Sequence, residues 1–521
     1  MAVSNFYTPA SVSFAKVSKM TKMSRRAILK SCVALASAAV LPTAAQNRTF
    51  DELIGYDALG LADLLRTRQI SQAELAEVFI RRIEMMNPAL NFMTNKAYDR
   101  ARCKAGTIPL NKPFAGVPIL MKDMIDIGGL TRTDGSRSML NNVPKKNVAY
   151  VDGVEAAGFN ILGQTNVPEF ASWVLTDNEV FGPTRNPWNL EYSVFSSSGG
   201  SAVAVAAGIV PIAHGTDGAG SNRLPPSATG IFGMKASRER MLSGEADGGH
   251  DIAKTNQMLS RTVRDSAMAF AHTEDPSGQV YPPVGFVAGP SAQRLRVGLV
   301  VDDGALIKVA PEVQEAQRKT AGLLVSLGHE VEETSWPVDA ERMADAYEKF
   351  FAGKTPAMKK MVEAASGTTV MNSGLLTPLL ASNIDAPQVF KAEDIAEGAA
   401  FLKSLVQTFD TVFQHYDVLL APVAPVVAPR LDEGSVHDLW TAEKAAYAAA
   451  RLKFTSPINF AGVPAMSVPL NWSATLGIPI GSHFIAARGN DRMLYELAYE
   501  LELARPWRDV WPPFSMKYIP L

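Results

Sequence analysis

The sequence predicts an α/β fold. From Gly116 to about Arg261, short apolar runs typical of strands alternate with helical runs and glycine-rich turns. A second pattern of strand, helix and strand follows between about residues 295 and 333. The chain has 521 residues, 47% of them hydrophobic, so it contains enough apolar material for a large core.

Two amphipathic helices are expected before this block. They run from Asp57 to Arg66 and from Ser71 to Glu84, where apolar residues recur at helical spacing. Ser71 and Glu74 carry the sequence signature of a capping box at the start of the second helix. We expect both helices to wrap the outside of the core.

A buried strand is expected in the run G-V-P-I-L-M-K-D, from Gly116 to Asp123, and it ends on Lys122. A lysine that is carried into an apolar interior tends to lose its proton, because burial disfavours the charged form. Lys122 is therefore a candidate general base. Asp123, beside it, is expected to be structural.

Two runs rich in serine and glycine resemble the two halves of a serine hydrolase centre. They are S-S-S-G-G-S, from Ser196 to Ser201, and G-T-D-G-A-G-S-N-R-L-P, from Gly215 to Pro225. The chain has no G-x-S-x-G elbow, and none of its seven histidines lies in a recognisable triad context. Another group must activate the serine, and Lys122 is the candidate. The alternatives are a linker-like polar loop for the first run and a plain turn for the second.

The second run can also supply an oxyanion hole, because glycines tolerate unusual backbone angles and let N–H groups converge on one oxygen. The expected donors are the backbone N–H groups of Gly218, Ala219, Gly220 and Ser221. Asp217 and Arg223 flank this turn and are expected to form an ion pair that braces it.

The second half of the chain begins with the predicted strand, helix and strand, with Gly328 as the helix C-cap. His329 is accordingly expected to be a turn residue. The region from about 341 to 402 is predicted to be helical, either as core packing or as a lid over a substrate cleft. A further strand is expected in Y-D-V-L-L-A-P-V-A-P, from Tyr416 to Pro425.

These segments resemble the amidase signature family, whose members hydrolyse amides with a triad of Ser, cis-Ser and Lys. The resemblance covers nearly all of the chain after about residue 50. Besides the runs quoted above, it is carried by Gly163 to Phe170, Phe181 to Trp188, Asn459 to Pro469 and Gly477 to Gly481. The tail from Ala504 to Pro513 resembles family members that act on aryl amides or small cyclic amides, such as aryl acylamidases and 6-aminohexanoate-cyclic-dimer hydrolases.

The resemblance implies a single domain from 46 to 521, with a mixed sheet covered by helices. It makes Ser221 the nucleophile, Ser197 the bridging serine that follows a cis peptide, and Lys122 the base, with Ser198 in support. It implies a small-molecule amide as substrate and leaves a homodimer open, and the lack of cofactor-binding motifs adds the expectation of no cofactor. The sequence departs from the family pattern at Phe195, Ser196, Ala219, Asn222 and His483, so a linear, aryl, cyclic or amino-acid amide remains open as the substrate.

The N-terminus predicts an export signal over residues 1–45. S-R-R-A-I-L-K, from Ser24 to Lys30, is followed by a short apolar stretch to Leu41 and by P-T-A-A-Q. The paired Arg25 and Arg26 resemble a twin-arginine motif, which implies transient contact with the twin-arginine export machinery. The apolar stretch is too short to anchor the chain across a bilayer. A periplasmic or secreted protein is expected.

Other classes of function have weaker support. The net charge of −2 gives no overall attraction to nucleic acid or anionic lipid. The metal and nucleotide motifs H-E-x-x-H, paired-cysteine zinc ligands, Walker loop and G-x-G-x-x-G are missing, so no metal is expected. A penicillin-binding type of enzyme would need a K-T-G motif after S-F-A-K at Ser13 to Lys16, and there is none. The remaining alternatives are an amidotransferase subunit of the same family, acting on glutamine, and a non-catalytic binding protein on this fold.

Overall fold

An eleven-stranded sheet forms the centre of the computed structural model, which describes residues 50–387 and 389–519. The strands are β1 (Met93–Lys96), β2 (Pro118–Lys122), β3 (Asn160–Thr165), β4 (Ile212–Asp217), β5 (Phe232–Lys235), β6 (Thr255–Ser260), β7 (Arg296–Leu299), β8 (Glu330–Glu333), β9 (Val418–Pro422), β10 (Ala465–Trp472) and β11 (Pro479–Ala486).

Fifteen α-helices are found in the described residues. They are α1 (Ala58–Arg66), α2 (Gln72–Leu90), α3 (Tyr98–Lys104), α4 (Ala149–Ala156), α5 (Gly199–Ala206), α6 (Leu224–Thr229), α7 (Val263–Thr273), α8 (Pro311–Ser326), α9 (Ala340–Ala352), α10 (Thr355–Ser366), α11 (Pro378–Asp385), α12 (Ala392–Val412), α13 (Ala442–Leu452), α14 (Ser456–Ala461) and α15 (Asp491–Ala504). Short 3₁₀ turns lie at Phe50–Gly55, Arg137–Met139, Glu169–Ala171 and Leu431–Glu433.

The sheet is mixed, with the spatial order β1-β3-β2-β4-β6-β5-β10-β11-β9-β7-β8. β2 is parallel to β3 and β4, and β7 is parallel to β8 and β9. The other neighbouring strands are antiparallel. The α/β class and the mixed sheet are therefore confirmed.

The predicted N-terminal helices are also confirmed. Asp57 caps α1 by accepting the N–H of Gly60, and Ser71 and Glu74 form the predicted capping box of α2. The apolar faces of both helices, with Leu61 on α1 and Phe79 on α2 among their residues, are buried in the largest hydrophobic core.

The block from Gly116 to Arg261 places three functional segments at one end of the sheet. β2 and β4 are parallel neighbours, so their carboxyl ends meet at the same edge. Lys122 is the last residue of β2, and the glycine turn leaves β4 directly after Asp217. α5 begins after Ser198 and packs against both strands, which brings the first serine run to the same edge.

The second half contains the predicted strand, helix and strand as β7, α8 and β8. Gly328 has a left-handed φ of 91°, as its predicted role at the helix end requires. His329 is buried at this turn, where its Nδ1 accepts the N–H of Leu295 at 3.0 Å and its Nε2 lies 2.9 Å from a Glu500 oxygen. It anchors the start of β8 to α15.

The region from 341 to 402 is helical, as predicted. Met343 of α9 is buried, and the rings of Tyr347 and Phe350 pack edge-on against Phe460 of α14 at 6.1 and 5.2 Å. Phe351 differs from the expected core packing, since 42% of its surface is exposed. The lid role of this region stays a prediction.

α10 and α11 share a small hydrophobic cluster of their own, built around Val362 and Leu380. It is tied to the main body by the buried carboxylate of Glu169, whose Oε2 accepts both the N–H and the hydroxyl of Thr377 at 2.8 Å. The predicted export signal lies outside the described residues. Among those that are described, no helix is long and apolar enough to cross a membrane.

Candidate active site

Lys122, Ser197 and Ser221 lie in one continuous row. The Lys122 Nζ is 2.7 Å from the Ser197 Oγ, and the Ser197 Oγ is 2.9 Å from the Ser221 Oγ. Lys122 and Ser197 are buried, whereas Ser221 is half-buried. Ser221 is therefore the member of the row that a substrate can reach.

Thr216 completes the surroundings of the lysine amine. The Nζ lies 2.8 Å from the Thr216 Oγ1 and 3.3 Å from the Thr216 carbonyl oxygen. A neutral amine has two N–H donors and one lone pair, and a carbonyl oxygen can only accept. When both N–H groups bind Thr216, the lone pair faces Ser197. The sequence analysis missed this residue, although its place on the strand parallel to β2 was a usable signal.

The environment of Lys122 favours the neutral amine. Burial lowers the pKa of Lys122 well below its usual range, and the positive charge of Lys254 lowers it further. The carboxylates of Asp217 and Asp134 act in the opposite direction and are outweighed. The lowered pKa favours an amine that can accept a proton.

The backbone before Ser197 has the expected conformation, with a cis peptide between Ser196 and Ser197. The Ser196 hydroxyl donates to the Trp173 carbonyl oxygen at 2.5 Å. There is no room for a side chain at either of the two glycines that follow this serine run. A Cβ at Gly199 would lie 2.1 Å from the Thr176 Oγ1, and one at Gly200 would lie 2.5 Å from a backbone nitrogen.

Ser198 supports the row from behind. It accepts the Thr216 N–H at 3.3 Å, and its hydroxyl lies within reach of the Thr216 carbonyl oxygen and of the Asn222 Oδ1, at 3.2 and 3.3 Å. The Asn222 Nδ2, where the family pattern has an apolar side chain, is buried with no hydrogen-bond partner in the described chain. This departure leaves a polar atom unpaired, which is costly in a buried site.

The turn that carries Ser221 depends on glycine. Gly220 has a φ of +132°, which favours glycine, and a Cβ there would lie 2.5 Å from the Thr455 Oγ1. Thr455 in turn donates its hydroxyl to the Ala219 carbonyl oxygen at 2.7 Å. A contact with the second half of the chain therefore defines the shape of the turn.

The predicted ion pair between Asp217 and Arg223 is present beneath the turn. The Arg223 Nε donates to the Asp217 Oδ2 at 2.9 Å, its Nη2 donates to the Oδ1 at 3.0 Å, and both side chains are fully buried. Burial alone would raise the pKa of Asp217, but Arg223 and further hydrogen bonds hold it below its usual range. Asp217 is therefore an ionised brace.

Asn459 and His483 belong to the same brace and were missed as such by the sequence analysis. Asn459 donates to the Asp217 Oδ1 at 2.9 Å and accepts from Arg223 at 2.6 Å, and the Arg223 Nη1 donates to the His483 Nε2 at 3.0 Å. Burial lowers the pKa of His483 well below its usual range, so the ring is a neutral acceptor. Asn459 begins a run that signalled only the family, whereas His483 was noted only as a departure from the family pattern.

One of the expected oxyanion donors needs a correction. The Gly220 N–H donates to the Asp217 Oδ1 at 2.7 Å, because the carboxylate lies directly beneath the turn. This N–H is therefore already engaged and is not free to bind a substrate oxygen. The other three of the four expected donors, the N–H groups of Gly218, Ala219 and Ser221, bind no acceptor in the described part of the chain.

Asp123 lies outside the row despite its neighbour Lys122. Its carboxylate accepts the Thr133 N–H at 2.9 Å and the Gln164 Nε2 at 3.1 Å, so it ties a loop to β3. Burial raises the pKa of Asp123 to about 6. As for metals, no group of three or more His, Cys, Asp and Glu side chains in the described residues is placed to hold an ion.

The comparison with protein families identifies the family of the chain. The family model described as Amidase matches residues 74–495, which include every residue of the row. The chain belongs to the amidase signature family. It is a hydrolase of carbon–nitrogen bonds that acts on amides.

This chain aligns with its curated relatives over almost their full length. The putative amidase AmiC of Mycobacterium tuberculosis is 34% identical over 468 residues, which are 89% of this chain and 97% of the relative. The 6-aminohexanoate-cyclic-dimer hydrolase of Paenarthrobacter ureafaciens is 32% identical over 491 residues, which cover 87% of this chain and 95% of the relative.

Solved structures agree with the fold. A 6-aminohexanoate cyclic dimer hydrolase complexed with substrate superimposes with a TM-score of 0.78 at 28% identity, over 88% of this chain and 99% of that one. A bacterial aryl acylamidase of the amidase signature family gives a TM-score of 0.77 at 28% identity, over 87% and 98%.

Proposed function

We propose that this protein is an exported amidase that cleaves a small carboxylic amide through an acyl-enzyme on Ser221, with Ser197 as proton relay and Lys122 as base. The observation that carries the proposal is the unbroken row from a buried amine to a half-buried hydroxyl, with distances of 2.7 and 2.9 Å. A serine hydroxyl is a weak nucleophile until a neighbouring base takes its proton.

The proton moves along the row in two directions. As the Ser221 Oγ attacks the amide carbon, its proton passes to the Ser197 Oγ while the Ser197 proton passes to the Lys122 Nζ. The same route then returns a proton to the leaving amine, which departs badly unless it is protonated. A water molecule deprotonated along this row releases the acid and restores Ser221.

The negative oxygen of the tetrahedral intermediate needs donors that are already in place. The N–H groups of Gly218, Ala219 and Ser221 are the candidates, because the Gly220 N–H is bound to Asp217. The buried pair of Asp217 and Arg223 holds this turn, so the donors need little rearrangement during the reaction.

The experiment that tests this proposal is trapping of the acyl-enzyme. The mature chain is screened against linear, aryl, cyclic and amino-acid amides, and a reaction with the best substrate is quenched in acid within its first turnover. We expect the acyl group on the peptide that contains Ser221, found by mass spectrometry. An acyl group on any other residue would contradict the assignment.

Export is the second part of the proposal and is supported by S-R-R-A-I-L-K and the apolar stretch behind it. The expected destination, the periplasm or the medium, fits an enzyme that meets external amides. It also separates this proposal from an amidotransferase subunit, which would work on glutamine in the cytoplasm.

Changing both Arg25 and Arg26 to lysine is expected to leave the protein in the cytoplasm as an uncleaved precursor, because the paired arginines are what the export machinery reads. Cell fractionation and the intact mass measure the outcome. A matched variant with Lys16 and Lys19 changed to arginine should still be processed. A processed periplasmic form of the double-lysine variant would overturn the export proposal.

A further inference from the structure

A second lysine, Lys254, lies near the row that contains Lys122. On the antiparallel pair of β4 and β6, Thr216 faces Asn256 and Asp217 faces Thr255. Directly opposite residues of such a pair project to the same face, and side chains alternate along a strand. Lys254 is therefore on the face of Asn256 and Thr216, which is the face that touches the Lys122 amine.

The position opposite Lys254, one residue past the last pair of this ladder, is Gly218. A Cβ at Gly218 would meet no atom within 4 Å, so the space beside it is open. The Lys254 side chain is itself half-buried. No side chain at position 218 stands between its charge and the catalytic row.

Lys254 is held by a partner on the solvent side. Its Nζ lies 2.5 Å from the Glu245 Oε1, and the two side chains are 21% and 35% exposed. Gly244, next to Glu245, packs so closely against Asn256 that a Cβ there would lie 2.4 Å from the Asn256 Nδ2. This contact fixes the segment that presents Glu245.

The other titratable groups in the surroundings of Lys122 and Lys254 are neutral, ion-paired or hydrogen-bonded. On β4, His214 is neutral, since burial lowers its pKa to about 3, and its Nδ1 accepts the Lys122 N–H at 3.3 Å. Asp217 is paired with Arg223 and Asp134 with Arg132. Asp251, before Lys254, accepts the Ala253 and Lys254 N–H groups. Lys254 is the neighbouring cation whose charge adds to burial in keeping Lys122 neutral.

We propose that Lys254 is a positioning residue for the reaction, whose charge, held over the catalytic face by Glu245, keeps Lys122 unprotonated and ready to act as base. This inference rests on the proposed function. It assigns Lys254 a role through Lys122 and no contact with the reacting atoms.

The test uses a neutral fluorophosphonate, which reacts with an activated serine without any need to know the natural substrate. Its second-order rate of inactivation is measured against pH. The rate should fall at low pH, where Lys122 becomes protonated, and this falling part of the profile is its acid limb. Loss of the Lys254 charge raises the pKa of Lys122, so Lys254→Met should move the acid limb to higher pH by about 0.5 to 1 unit. Lys254→Arg should restore the wild-type limb, and Lys319→Met on the outer face of α8 should not move it.

Glu245→Gln separates electrostatics from packing. Both Lys254→Met and Glu245→Gln break the same ion pair, so a purely structural effect would move the limb in the same direction in both. Because Glu245 offsets the charge of Lys254, its neutralisation should move the limb to lower pH. An upward move in both variants, or an unmoved limb in Lys254→Met, overturns the inference. Absence of any labelling of Ser221 in the wild type would instead overturn the proposed function.

Discussion

Replacement of Ser221 with alanine is expected to abolish amide hydrolysis while the protein still folds. The Ser221 side chain is small and half-buried, and among the described residues its hydroxyl is hydrogen-bonded to Ser197 alone, so its loss leaves no large cavity. Without the nucleophile no acyl-enzyme can form, and the rate should fall by about 10⁴-fold or more. The measurement is steady-state hydrolysis of the amide selected by the substrate screen, with thermal unfolding to confirm the fold.

The same variant should lose all labelling by a fluorophosphonate, since that reagent modifies the activated serine itself. Ser404→Ala, on the exposed face of α12, is the matched control and should keep both activity and labelling. Labelling that persists in Ser221→Ala would mean that another serine is the nucleophile.

Replacement of Lys122 is expected to affect amides much more than esters. An alkoxide or phenoxide leaves an ester more readily than an unprotonated amine leaves an amide, so the proton shuttle matters more for the amide. Assistance by a general acid and base is typically worth about 10² to 10⁴ in rate. Lys122→Ala should show a loss of that order on an amide and a clearly smaller loss on the ester of the same acid.

Lys122→Met accompanies this variant because it keeps more of the volume of the buried side chain. The wild type should also lose activity as the pH falls through the pKa of Lys122, since only the neutral amine can accept a proton and burial has lowered that pKa. Equal losses on ester and amide would show that Lys122 is neither base nor shuttle.

Another buried lysine supplies the control for the pH profile. Lys235 of β5 donates to two carbonyl oxygens, of Ala236 and Val463, and burial lowers its pKa to about 7. Lys235→Met should keep the wild-type ratio of amide to ester hydrolysis. If the ratio changes in Lys235→Met and not in the Lys122 variants, the base is Lys235 and not Lys122.

Much of the fold could be predicted from local patterns. The capping box at Ser71, the buried strand ending on Lys122 and the alternation of strands and helices each depend on residues close together in the chain, where propensity and periodicity act directly. The mixed sheet was predicted only from the family resemblance, because its strand order depends on connections that no local pattern encodes.

The candidate site divides in the same way. Lys122 was predicted to be a base from its place in an apolar strand, and the pair of Asp217 and Arg223 from its position beside the turn. The roles of Ser197 and Ser221 were implied by the family resemblance. Which N–H groups face a substrate could not be predicted, because that depends on where the Asp217 carboxylate lies beneath the turn. The carboxylate accepts the Gly220 N–H, and the glycines and small residues of the turn do not indicate in sequence which N–H it will bind.

The sequence by itself determined the residue types on which the proposed chemistry depends: a serine without a histidine partner, a lysine in an apolar strand, and glycines where side chains would collide. Tertiary structure alone decided how those groups are oriented and charged. Thr455 and Asn459 contact the turn that carries Ser221 from more than 200 positions along the chain. The antiparallel pairing of β4 with β6 places Lys254 on the face of β4 that contacts Lys122. Such contacts depend on strand order and register, and the charge state of a buried lysine depends on every group that folding places around it.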